Sequence, residues 1–246
     1  MKLSFVIPAH NEENYIAKCL ESVIREAEKS RRDVEIIVVN NASTDKTREI
    51  VLSFPEVKLV DEPRKGLPQA RQAGFAASSG DLIANVDADS VVPPFWIEKV
   101  FDHFSRHEKL VALSGPYVYY DYSKTKNYLV KAFYYPGYLL NRTNHVFFGK
   151  AAMLQGGNFI LKRAALENIG GFNTDIKFYG EDTDIARRIK NQGQVIFTYD
   201  LPMHTSARRL KKEGLVKMGA KYAGNFVWTI IFKKPITKKY LDVREE

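Results

Sequence analysis

Short apolar runs and amphipathic helical stretches alternate through the first third of this chain, and that rhythm admits few folds. Residues 3–8, 35–39, 57–60 and 82–86 are apolar and rich in β-branched side chains, the pattern of strands covered on both faces. Between them fall 15–27, 45–53 and 67–78. In the first of these, Ile16, Cys19, Leu20, Val23 and Ile24 recur at helical spacing. In the second, Ser43 or Thr44 is placed to cap the helix. Strand–helix repetition of this length predicts βαβ units, a mostly parallel central sheet and right-handed crossovers. Beyond Pro94 the rhythm loosens. Helices are expected over 95–104, 163–169 and 181–191, and strands over 110–118, 159–161 and 194–199. No repeat or low-complexity linker divides the 246 residues, so one α/β domain is expected. Residues 1–95 form one half of it, 96–210 the other, and 211–246 a basic and aromatic C-terminal segment.

Sheets of this kind bind ligands beyond the carboxyl ends of their strands, and here those ends are polar. The first strand runs into Pro8-Ala9-His10-Asn11-Glu12, the second into Asn40-Asn41-Ala42-Ser43, the fourth into Asp87-Ala88-Asp89. Two carboxylates flanking one small residue are hard oxygen ligands suited to Mg2+ or Mn2+, with diphosphate oxygens completing the shell. Alone, such a triplet is commonly a solvated turn; its place at a strand end gives it weight. Lys65 and Arg71 bracket a loop and a helix start, where positive charge meets phosphate or base. An exposed turn is the plain alternative. His204, after the last strand, is a candidate third metal ligand, and Arg208-Arg209 suit a diphosphate. A surface histidine beside a solvated basic turn weighs evenly against that. Asp182 follows Gly180 at a helix start and is the candidate general base, although Glu181 and Asp182 would also complement the helix dipole. Asp184 and Arg188, four apart, read as a helix-surface pair. Cys19, within an apolar helical stripe, reads as a buried, inert thiol.

Taken in order, residues 5–13, 37–45, 65–71 and 87–89 resemble the motifs of family 2 glycosyltransferases. Gly170-Gly171-Phe172-Asn173 and Gly180-Glu181-Asp182-Thr183-Asp184 resemble that family's acceptor-side motifs. The resemblance implies a GT-A fold: a Rossmann-like nucleotide-binding half continuous with an acceptor-binding half. It implies inverting transfer of a sugar from a nucleoside-diphosphate sugar to an acceptor hydroxyl. By the same analogy Pro8, Ala9 and Glu12 line the base and ribose, and Asn41 faces the base. Asp87 contacts the ribose or phosphate, Asp89 holds the metal, and Gly157 and Glu181 lie on the acceptor side. One departure stands out, because the family commonly carries two aspartates where this chain has Asn40-Asn41. An amide both donates and accepts, so nucleotide binding is retained as an expectation while the base is left open.

The net charge of +8 favours a polyanionic partner: a nucleic acid, an anionic membrane or a phosphate-bearing substrate. No nucleic-acid recognition motif is present and the basic residues are scattered, so nucleic acid is not expected. No G-x-G-x-x-G follows the first strand, which argues against a nicotinamide dehydrogenase. The remaining rivals are an inactive carbohydrate-binding relative and a nucleotidyltransferase. No apolar run reaches the roughly 20 residues of a spanning helix, and a cytoplasmic location is expected. Residues 117–150 and 220–232 mix aromatic side chains with lysines. That mixture suggests peripheral contact with a membrane and a lipid or lipid-linked sugar as acceptor.

Overall fold

A computed structural model of the chain describes residues 1–132, 135, 153–176, 180–214, 218, 219 and 224. Strands β1 (Leu3–Ala9), β2 (Val34–Asn40), β3 (Val57–Asp61) and β4 (Leu82–Val86) are parallel. They are joined by α1 (Ile16–Ser30), α2 (Thr47–Leu52) and α3 (Leu67–Ala77), as the alternating pattern predicts. Then follow β5 (Ser90–Val91), α4 (Trp96–Arg106), β6 (Leu110–Ser114), β7 (Tyr117–Tyr119) and β8 (Asn158–Lys162). The last described elements are α5 (Arg163–Asn168), α6 (Glu181–Ile189), β9 (Gln194–Phe197), β10 (Met203–Thr205) and α7 (Arg208–Glu213). Residues 124–132 are also helical.

Seven strands form the main sheet in the order β3-β2-β1-β4-β8-β6-β9. Only β8 runs against the others, antiparallel to β4 on one side and to β6 on the other. A second sheet has the order β5-β10-β7. Side chains alternate across a strand, and both faces of the main sheet are apolar. Leu3, Phe5 and Ile7 join α1 and α4 on one face, where Trp96 packs on Phe5 with ring centroids 5.6 Å apart. Val6 and Ile83 join Phe75, Leu166 and Ile185 on the other. Each fully buried Leu, Ile or Phe contributes roughly 1.5–3 kcal/mol, so the two-sided core fixes the strand register as well as the stability.

The single strand expected over 110–118 is two, β6 and β7, in different sheets. Gly115 and Pro116 separate them. Pro116 has no N–H for a ladder, and a Cβ on Gly115 would lie 1.9 Å from the backbone oxygen of Leu201. The cap of α2 also differs from expectation. Asp45, not Ser43 or Thr44, receives the N–H of Thr47, at 2.9 Å. Cys19 is fully buried and burial raises its thiol pKa, in keeping with an inert group. No helix among the described residues is long and apolar enough to cross a membrane. Of the 211–246 segment only 211–214, 218, 219 and 224 are described, and residues 136–150 of the aromatic stretch also lie outside the described residues.

Candidate functional site

The carboxyl ends of β1, β2 and β4 converge as the sheet rule requires. Asn41 directly follows β2, and its side-chain amide is engaged on both its nitrogen and its oxygen. Its Nδ2 donates to the carbonyls of Glu62 (3.0 Å) and Arg64 (2.8 Å), and its Oδ1 accepts from the N–H of Gly66 (2.7 Å). Asn40 donates to Asp61 at 2.8 Å. An aspartate at either position has no proton to donate, so the amides are what these neighbours require. Asn41 is therefore a brace for the 62–66 loop, which carries the exposed Lys65, and its amide is turned to backbone rather than held out to a base.

Asp87 and Asp89 lie on a tight turn closed by the N–H of Ser90 bonding the carbonyl of Asp87. Each carboxylate has its own cation. Arg208 Nε meets Asp89 Oδ2 at 2.9 Å, and Arg208 Nη2 meets Glu12 at 2.6 Å. Its guanidinium also lies 4.6 Å from the ring centre of Tyr15. Burial disfavours the Arg208 charge, but Asp89 and Glu12 outweigh it and raise its pKa. Arg209 turns away and pairs with Glu213 at 3.6 Å. Thus the two arginines, alike in sequence, take different carboxylates, Arg208 pairing with Asp89 and Glu12 and Arg209 with Glu213.

Arg71 is wholly buried. Its guanidinium touches Glu181, approaches Asp87 at 3.4 Å and lies 4.9 Å over the ring of Phe159. Its charge is occupied by protein groups, which makes it a positioning residue for Asp87. Glu181 is buried at the same contact, and burial pushes its pKa up to about 7 against the pull of Arg71. Tyr117, which sequence reasoning did not single out, donates its hydroxyl towards Asp87 (2.9 Å) and the carbonyl of Gly156. Burial first, then Asp87, raises its pKa. Gly157 makes this approach possible: its φ is +73°, and a Cβ there would sit 2.2 Å from the Asp87 carboxylate.

Asp182 opens α6 behind Gly180, whose φ of 83° turns the chain into the helix. Its Oδ1 accepts from the N–H of Thr183 at 2.7 Å, and the N–H of Gly156 faces it as well. Burial outweighs these donors and raises its pKa. Asp184 is not the surface group expected. It is buried against Arg187 (2.8 Å) and Arg188 (2.7 Å), and Arg188 also donates to the carbonyls of Ile169 and Gly171. The Gly170-Gly171 turn and the α6 start are thereby one unit.

His204 lies on β10, which pairs with β5 and β7. Thr205, its neighbour on β10, sends its hydroxyl to Asp89 Oδ1 at 3.2 Å. Burial lowers the pKa of His204. Among the described residues no three His, Cys, Asp or Glu side chains are grouped to hold a metal ion. Asp87 and Asp89 are nevertheless hard anionic donors on one turn, and they fit a divalent cation whose remaining ligands come from a diphosphate.

Residues 4–170 match the family model described as glycosyl transferase family 2, and 147–212 match one described as N-terminal domain of galactosyltransferase. A probable glycosyltransferase of Bacillus subtilis, YdaM, is 32% identical over 210 residues, which is 78% of this chain and 47% of that protein. The chain thus spans less than half the length of that relative. Mannosyltransferase PcManGT of Pyrobaculum calidifontis, solved with GDP-Man and Mn2+, aligns with TM-score 0.64 and 20% identity. The alignment covers 88% of this chain and 62% of that one. Glucosyl-3-phosphoglycerate synthase of Mycobacterium tuberculosis, solved with Mn2+ and UDP-glucose, aligns with TM-score 0.63 and 20% identity. There the coverage is 93% and 78%. At these identities the structural likeness shows a shared fold.

Proposed function

Because the chain belongs to glycosyl transferase family 2 and has the GT-A fold, we propose that it transfers a sugar, with inversion, from a nucleoside-diphosphate sugar to an acceptor hydroxyl. One observation carries the reading. Gly156 connects the two carboxylates that the chemistry needs: its carbonyl takes the Tyr117 hydroxyl that also reaches Asp87, and its N–H faces Asp182. A donor-side carboxylate and a candidate base are therefore linked through the Tyr117 hydroxyl and the backbone of Gly156.

On this reading the strand ends from Pro8 to Glu12, the loop braced by Asn41 and the exposed Lys65 form the nucleotide side. Asp89, assisted by Asp87, holds a divalent cation, Mn2+ or Mg2+. When bound, that cation stabilises the negative charge of the leaving nucleoside diphosphate. Arg208 stands beside Asp89 and adds positive charge there. The acceptor oxygen attacks the anomeric carbon from the face opposite the diphosphate. The bond to the diphosphate breaks with its electron pair leaving on phosphate oxygen, and the acceptor's proton passes to Asp182. The raised pKa of Asp182 suits a proton acceptor, since it narrows the gap between resting acid and base. Gly157 and Glu181 frame the acceptor side, where Glu181 acts through Arg71. The place of action is the cytoplasmic face of a membrane, a reading supported by the net charge of +8.

Asp182→Asn tests the assignment. A group that acts on the acceptor's proton in the transition state should cost turnover, on the order of 100-fold or more, with donor affinity unchanged. Near wild-type turnover in the folded variant would transfer the role to another residue.

A further inference from the structure

A cavity of about 380 Å3 lies between β7, the 124–132 helix and the end of β9, within the roughly 300–1,000 Å3 of small-molecule sites. Tyr117, Tyr119, Phe197 and Tyr199 supply aromatic walls, and Gln155 forms part of the lining. Tyr117 is the residue that reaches Asp87, and Gln155 precedes the Gly156 that faces Asp182. The cavity is therefore one residue from the candidate base. Its described lining holds two lysines, Lys124 and Lys131, and no carboxylate. Lys131 Nζ stands 5.3 Å from the ring centre of Tyr199.

The exposed surface of the 118–135 stretch carries a second signal, and Val118 and Tyr128 from it line the cavity. Seven large apolar side chains are exposed among the described residues, and four of them, Val118, Tyr128, Leu129 and Tyr135, lie between 118 and 135. Tyr128 is 72% and Leu129 54% exposed. Concentration of this kind marks a contact surface, whereas single exposed apolar residues do not. Three chemistries thus meet at the cavity: aromatic faces, ammonium groups, and the exposed apolar surfaces of Val118 and Tyr128.

We propose that this cavity is the acceptor site and that the acceptor is an amphiphile in which a phosphate joins a sugar to an apolar chain. The inference rests on the transferase reading and names the substrate class of that site. The sugar lies on the tyrosine walls, where an aromatic face meets its C–H groups and its hydroxyl is presented to Asp182. Lys124 and Lys131 hold the phosphate as point charges. The chain runs out over Tyr128 and Leu129, which are exposed for it.

Decyl glucosyl phosphate, decyl glucoside and glucose 1-phosphate separate the three parts. Binding of each to the full chain is measured by calorimetry below micelle concentrations. The complete probe should bind at least about tenfold more tightly than either partial one. Lys124→Ala with Lys131→Ala should reduce it to the level of decyl glucoside, and Leu129→Ala should weaken both alkyl probes but not glucose 1-phosphate. Nucleoside-diphosphate affinity, unchanged in all variants, serves as the control for folding. Equal binding of the three probes, or a phosphate preference that survives the double lysine variant, overturns the proposal. Donor-sugar hydrolysis without acceptor reports on the transferase reading alone. A chain that hydrolyses the donor yet ignores the complete probe retains that reading and loses this one.

Discussion

Glu181 takes its charge state from burial and from Arg71, which pull in opposite directions, and burial prevails. Its pKa rises from an ordinary 4.5 to about 7 in the folded chain, so the folded state keeps a proton that the unfolded state has released. Stability from this group is therefore fully present below about pH 4.5 and is lost as the pH rises through about 7. Urea midpoints across that window should fall with rising pH in the wild type, and the fall should be smaller in Glu181→Gln. Asp89 allows a second prediction at this scale. Asp89→Ala should remove most of the Mn2+ dependence of nucleoside-diphosphate binding, measured by calorimetry, because the turn then offers Asp87 alone. Unaltered metal dependence would place the cation elsewhere. The chemistry of these two positions was readable as sequence, since a strand end followed by Asp87-Ala88-Asp89 is local information. Their partners were not. Tyr117 and Arg208 lie 30 and 119 residues away from the carboxylates they serve; Arg208-Arg209 was legible as a basic pair suited to phosphate, but no local pattern announces Tyr117 or joins Arg208 to Asp89.

Elements were legible in proportion to their periodicity. The stripe from Ile16 to Val23 and the strands up to β4 came out near their expected bounds, because apolar spacing and burial agree there. The 110–118 strand was misread for a physical reason. Apolar residues continue across Gly115-Pro116, while the backbone has neither the donor nor the space to continue in one sheet. The break at Gly115 is open to test. Gly115→Ala drives a methyl group into the backbone of Leu201, and overpacking of this kind costs about 1–3 kcal/mol. A urea midpoint lowered by that free energy divided by the m-value is expected. An unchanged midpoint would show that the 201 region gives way freely.

The molecule as a whole does not divide at the boundary between its two functional halves. β8, from the second half, completes the edge of β4 in the first, and Arg71 of the first half has its carboxylate partner Glu181 in the second. Residues 1–95 produced alone should therefore lack a cooperative thermal transition by circular dichroism. A buried cation without its partner and an apolar strand edge without a neighbour leave that fragment little to hold it. A sharp transition would mean that the nucleotide side is a domain in its own right. The antiparallel insertion of β8 also sets a timetable on the ribosome. β4 is made about 75 residues before β8, and at roughly 5–20 residues per second its edge waits several seconds for its pair. During that interval the nascent chain displays an unpaired apolar strand to every other chain in the polysome. Slower translation between β4 and β8 should therefore lower the soluble yield of this protein.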